Sequence, residues 1–314
     1  MKVDHDVAAS TPLAAWCWLH VYSLDAVAIG LCWHLVMTNT FCSRDPIWYE
    51  SVVLGLSIWL IYTLDRLLDS RRLTPQHPHT LRHQVHWIQR RALSAIWCVV
   101  AIVDVMLGAL MATRGQLVWG SALVAAVVVY VIAVQSSGRW RQWFPKELVA
   151  GMVFSSGVSL SAWMQQFPHQ GAELLVSTGL AGCLFASNCI AVACWERRLD
   201  QHQGFTSWAT LHPRSAHWLP LALTIQILMT GILFSVGRVP ALVASCLVGG
   251  QLLLWAVTRV HRHPVSQRGS DWDLHSVSLP VPTFSLLADA AVLFPPLVWV
   301  AVRCVAAMIG MPTQ

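Results

Sequence analysis

Two short acidic patterns, 131 residues apart, are the parts of this 314-residue chain best suited to chemistry. Asp65-Arg66-Leu67-Leu68-Asp69 and Glu196-Arg197-Arg198-Leu199-Asp200 share the order acid, Arg, any residue, Leu, Asp. Residues four apart on a helix differ by about 40° in azimuth, so each pentad would set two carboxylates on one face, one turn apart. Like charges at that spacing repel by roughly 0.2–0.5 kcal/mol, and the carboxyl end of a helix is the wrong end for anions. A cation resolves both conflicts. Mg²⁺ takes oxygen ligands, commonly one or two carboxylates plus substrate phosphates, so the pentads point to acid pairs holding Mg²⁺ that in turn holds a diphosphate. The simpler alternative is that acids and arginines mark a membrane boundary and pair with one another, as Asp65 could with Arg66 or Arg72. One pentad alone favours that pairing; two matched pentads favour the metal.

The elements that must position these acids are membrane helices. Only 11% of the residues are charged while 56% are hydrophobic, too little polarity to cover a soluble surface. A bilayer core about 30 Å thick needs roughly 20 apolar residues at about 1.5 Å each. Such stretches recur about nine times, over 13–36, 47–64, 93–112, 116–134, 147–164, 172–195, 215–236, 240–257 and 279–302. The expected fold is therefore an all-α polytopic membrane protein, a single domain over residues 1–314, interrupted by no linker or soluble unit. Of 20 Lys and Arg, 16 fall in the amino-terminal tail and in the loops after spans two, four, six and eight. Arg44, Arg114, Arg238 and Arg303 fall on the other side. That segregation is the positive-inside pattern with a cytoplasmic amino terminus, and it puts both pentads at the cytoplasmic mouth of parallel helices. The first span is longer than a signal-peptide core and reads as uncleaved. Charge placed in this way orients a membrane protein and gives no reason to invoke nucleic acid.

Several basic loop residues could complement a diphosphate: Arg139, Arg141 and Lys146 between spans four and five, and Arg71, Arg72 and Arg82 after span two. Each singly is explained as well by topology. Asp25, Asp104 and Asp289 lie well inside spans, where an ionised carboxylate costs at least about 2.5 kcal/mol on insertion scales, so they should face a cavity or each other. Asp289 could serve as a base or orient an acceptor. Asn188, about two turns before Glu196, could line the cavity beneath the second pentad or simply hydrogen-bond between helices, and His20 and His34 read in the same way. The loop histidines His77, His79, His83 and His86 match no metal spacing. Most of the tryptophans fit an interfacial belt, whereas Trp163 and Trp195 are near enough to the second pentad to shield a carbocation.

These residues resemble the UbiA-type intramembrane prenyltransferases. The two signatures of that family are N-x-x-x-D-x-x-x-D after helix two and D-x-x-x-D shortly before a glycine after helix six. Here they read Ile61-Tyr62-Thr63-Leu64-Asp65-Arg66-Leu67-Leu68-Asp69 and Glu196-Arg197-Arg198-Leu199-Asp200-Gln201-His202-Gln203-Gly204. The segment from Arg139 to Gly151 looks like the family's basic loop and the proline-led start of helix five. The resemblance implies a nine-helix bundle whose cavity opens sideways to lipid. It also implies that Asp65, Asp69, Glu196 and Asp200 are the Mg²⁺ and diphosphate ligands and that Arg139 matches the family's basic loop residue. The reaction it implies is ionisation of an isoprenyl diphosphate and capture of the carbocation by a lipophilic acceptor, a case of metal-assisted leaving-group stabilisation. Two positions depart from the pattern: Ile61 stands where the family has asparagine, and Glu196 where it has aspartate. The carboxylates survive, so diphosphate binding is the firmer expectation. A terpene cyclase that closes the carbocation on its own chain, and a non-catalytic lipid-diphosphate binder or transporter, are the alternatives.

Overall fold

The computed structural model describes residues 12–71, 81–135, 146–166, 170–260 and 283–309, and the described residues are helices joined by turns. In chain order the helices are α1 (Pro12–Val21), α2 (Leu24–Cys42), α3 (Trp48–Ser70), α4 (Leu81–Ile88), α5 (Arg90–Met111), α6 (Arg114–Gln135), α7 (Lys146–Val158), α8 (Leu160–Gln166), α9 (Gly171–Gln203), α10 (Trp208–Leu211), α11 (Ser215–Ser235), α12 (Ala241–Val260) and α13 (Thr283–Met308). Eight of them are long and apolar enough to cross a membrane: α2, α3, α5, α6, α9, α11, α12 and α13. The fifth expected span is also helical, but it is divided at Ser159 into α7 and α8, neither long enough alone.

The first expected span is not one straight helix from 13 to 36. Ser23 takes a left-handed backbone, φ 59°, and the crossing helix α2 begins after it and runs on to Cys42. Asp25 supplies the local reason, because its Oδ1 accepts the backbone N–H of Ala26 at 2.8 Å and so stabilises a new helix start. The second and sixth helices outlast their expected ends. Both pentads therefore sit on continuous helix, Asp65 and Asp69 in α3 and Glu196 and Asp200 in α9.

Each of those helices ends for a visible reason. The Ser70 hydroxyl turns back to the Leu67 carbonyl at 2.8 Å. After α9, Gly204 adopts φ 69°, its N–H reaches the Gln201 carbonyl, and the Phe205 N–H reaches the Asp200 carbonyl at 2.8 Å. That is the double-bonded stop that favours glycine in the left-handed position, and it fixes the last turn on which Asp200 stands.

The core is formed by α2, α7, α9, α11, α12 and α13, with Trp33, Phe41, Val158, Leu184, Leu223, Leu247 and Val292 packed together. Trp33 Nε1 donates to the Val292 carbonyl at 3.2 Å, tying α2 to α13. The closest helix crossing is α7 on α9. A Cβ on Gly151 would come within 2.5 Å of the Ala186 nitrogen and 2.6 Å of the Gly182 carbonyl oxygen, so only glycine permits that approach. By contrast α5 and α6 lie outside this core and turn large apolar side chains outward, as expected of helices facing lipid.

Candidate functional site

Arg66 is the residue that joins the two pentads. Its guanidinium lies in the electrostatic field of Asp65 and Asp69 from its own helix and of Glu196 from α9. Below it on α3, Tyr62 is likewise within reach of Cys189, Asp289 and Asp25. Tyr62 and Arg66 follow one another along α3 in the same order as Cys189 and Glu196 along α9. The charges of α3 and α9 therefore act on one another along both helices. Tyr130 of α6 joins them, acting on Asp65, Cys189, Glu147 and Tyr62.

The floor of this polar region is a compact hydrogen-bonded group. His20 Nδ1 lies 2.6 Å from Asp25 Oδ2 and 3.4 Å from Asp289 Oδ2, and Asn188 Nδ2 donates to Asp289 Oδ1 at 2.8 Å. His20 and Asp25 are buried, and Asp289 is only partly so. One ligand-type atom from each of His20, Asp25 and Asp289 lies within 4.8 Å of the others. The break at Ser23 makes this possible: it folds the end of α1 back so that His20 meets an acid five residues on. Two carboxylates here share one imidazole, so the protons of the three groups are linked. The group can therefore hold and move a proton.

Between floor and mouth runs a seam of α9 against α13. Asn188 bonds Asp289, and eight residues later, about 12 Å along the helix, buried Glu196 accepts the Ser285 hydroxyl at 3.2 Å on Oε1. Asp289 and Ser285 are one turn apart, so the helices are antiparallel and the polar contacts form a ladder from the helix end inward.

Among the described residues, no three pentad carboxylates close to the 4.8 Å that the His20 group achieves. The pentad acids are oxygen donors on two helices with Arg66 between them. Among the described residues they do not form an all-protein metal cage. Asp69 and Asp200 are half-buried near their helix ends. Lys146 opens α7, half-buried, and its charge reaches Cys189 in the interior. Arg72 and Arg139 lie outside the described residues, and of Arg82 only its place on α4 is described.

Sequence reasoning singled out Asp25, Asp289, His20 and Asn188, and the structure brings them together. It did not single out Tyr62, Tyr130, Cys189 or Glu147 as interior polar groups. Glu147 is buried at the start of α7, its Oε1 accepting the Trp208 N–H at 2.8 Å while Oε2 has no partner. An acid directly after Pro145-Lys146 in an apolar span was the available signal. Asp104 faces α3, accepting the Ser57 hydroxyl at 2.7 Å, and takes no part in this region. Trp195 packs at 5.6 Å, ring to ring, against Phe284 beside the ladder, and Trp163 packs against the apolar core. Comparison with protein-family models, with curated proteins and with solved structures finds no match for this chain.

Proposed function

We propose that the chain is an Mg²⁺-dependent intramembrane transferase of the UbiA type, moving an isoprenyl group from its diphosphate to a lipophilic acceptor. The observation that supports this reading is that Arg66 feels the charge of acids from both pentads, Asp65 and Asp69 on its own helix and Glu196 on α9. Asp65, Asp69, Glu196 and Asp200 would hold Mg²⁺, which when bound neutralises charge on the departing diphosphate. Arg66 and Lys146 add fixed positive charge at that mouth, and the surrounding apolar helices exclude the water that would otherwise capture an allylic cation. The allylic C–O bond breaks with its electron pair leaving on the diphosphate, and the acceptor supplies the pair for the new bond to carbon. The proton the acceptor gives up passes to the His20, Asp25 and Asp289 group on the floor. The pentads face the cytoplasm in this reading, in a multi-pass protein of the cytoplasmic membrane if the source is bacterial.

A second reading, cyclisation of the same cation on its own chain, has one observation in its favour. Tyr62, Phe154, Phe185 and Trp33 form a continuous run of ring contacts, with centroids 6.4, 4.8 and 5.6 Å apart in turn. Aromatic faces of this kind stabilise a migrating cation. Diphosphate release in nanodiscs, with Mg²⁺ and a panel of prenyl diphosphates, tests both readings. The expected result is release that needs Mg²⁺ and is lost in Asp65→Ala and Glu196→Gln. Dependence on an added quinone-type or lipid acceptor indicates transfer, and independence with a cyclic product indicates the cyclase. Release unchanged in both variants sinks the diphosphate reading altogether.

A further inference from the structure

A second charged site lies on the far side of α3 from the acids. At 100° per residue Leu67, Ser70 and Arg71 stand roughly opposite Asp65 and Asp69. They meet the first turns of α5 around a cavity of about 460 Å³ whose other lining residues are Arg90, Arg91 and Ser94. Three exposed arginines thus line one space, and no acid pairs with any of them among the described residues; the Arg90 guanidinium lies 6.0 Å from the centroid of the Trp87 ring. At the other end of the bundle three of the four arginines meet an acid, Arg44 with Glu50, Arg238 with Glu173 and Arg303 with Asp45, and the fourth, Arg114, stands apart from any such cavity. Positive charge gathered at one cavity with no acid partner among the described residues favours an anion there. Arginine forks and the Ser94 hydroxyl are suited to phosphate oxygens.

The surface beyond this cavity identifies the anion's source. Following the same side of α5 into the apolar zone, Ile102 and Val105 are 60% and 70% exposed, on a helix that faces lipid. A headgroup held by Arg71, Arg90 and Arg91 would lay its acyl chains along that strip. From this we infer that the α3–α5 cavity is a binding site for the phosphate headgroup of an anionic membrane phospholipid, separate from the acid mouth and independent of the transferase reading.

The test is lipid retention by the full chain, read by native mass spectrometry after exchange into phosphatidylcholine nanodiscs with or without phosphatidylglycerol. Wild type is expected to retain phosphatidylglycerol selectively. R90Q/R91Q should lose that selectivity by about thirtyfold, given the usual attraction of each arginine to an anionic headgroup, while R90K/R91K keeps most of it. Equal selectivity in wild type and R90Q/R91Q overturns the proposal. So does wild type that shows no preference for phosphatidylglycerol, a result that needs no variant to fold. If inorganic phosphate or pyrophosphate displaces the retained lipid at millimolar concentration and protects the protein from heat equally well, the site belongs to a free anion and the lipid assignment fails.

Discussion

Asp289 accepts from Asn188 Nδ2 at 2.8 Å and sits 3.4 Å from His20, so its replacement separates hydrogen bonding from charge. Asp289→Ala leaves the Asn188 amide without its acceptor, and the Oδ1 of that amide is already buried and unpartnered. A buried group left unsatisfied costs about 1–3 kcal/mol, so the melting temperature in detergent should fall by several degrees, roughly 2–8 °C. Asp289→Asn keeps an acceptor oxygen in nearly the same place and should melt close to wild type. Its effect should appear in chemistry: Mg²⁺-dependent diphosphate binding is retained, and acceptor-dependent product falls by about 100-fold or more, as for loss of a proton acceptor. Equal product formation by wild type and Asp289→Asn would leave Asp289 a purely structural residue. The members of this group were legible in the sequence one at a time, because a carboxylate or an amide inside an apolar span is conspicuous. Their meeting was not. It depends on the left-handed Ser23 and on the packing of α9 against α13, neither of which leaves a hydropathy signal.

At the scale of helices, the decisive contact is the crossing of α7 and α9. A methyl group on Gly151 would press on backbone atoms of Gly182 and Ala186, which cannot swing aside as a side chain can. Gly151→Ala should therefore destabilise by about 1–3 kcal/mol, the usual cost of overpacking. Gly120 provides the comparison, for nothing lies within 4 Å of its would-be Cβ on lipid-facing α6. Gly120→Ala should be neutral or stabilising by up to about 1 kcal/mol, since alanine only stiffens the helix. Fluorescence-detected size exclusion after heating ranks the two, and a Gly151→Ala protein as stable as Gly120→Ala would mean that α7 and α9 do not cross this closely. Moving α7 would also move Glu147 and Lys146, so a loss of activity in Gly151→Ala beyond its loss of stability is expected. Hydropathy located the apolar stretch of each crossing helix, but not the break at Ser23 or the last turns of α3 and α9, which run six and eight residues past the apolar stretch because their polar ends carry no hydropathy signal. It missed the interruption at Ser159, because the small residues Ser155, Ser156, Gly157 and Ser161 around it lower hydropathy without marking a break. The pentads were readable as helical faces for a different reason: the i, i+4 spacing states its own geometry, and Gly204 marks where α9 must stop.

For the whole molecule the open variable is orientation. Four contacts mark one end of the bundle: Arg44 and Gln116 both bond Glu50, Arg238 meets Glu173, and Arg303 meets Asp45. These join the turns before α3, α6, α9 and α12 with the end of α13. The opposite end carries the pentads and Arg71, Arg90 and Arg91, which pair with no acid among the described residues. Lysines and arginines near helix ends resist export, and acids hardly offset them, so the pairing at the first end does not change the bias of 16 against 4. The prediction is that a fluorescent-protein fusion inserted after Arg71 or after Gly204 lights up in the cytoplasm. A periplasmic phosphatase inserted at the Thr113 turn or after Gly237 should be active. Reporters after Arg71 and Gly204 on opposite sides of the membrane would break the geometry on which the diphosphate mouth depends, whatever the side. If both lay outside, the mouth would stay intact but would open away from the cytoplasm, where isoprenyl diphosphates are made soluble by their charge. The proposed substrate could then reach it only after crossing the membrane. Because the two failures differ, the four fusions separate an error in the relative direction of α3 and α9 from an error in the sign of the whole bundle.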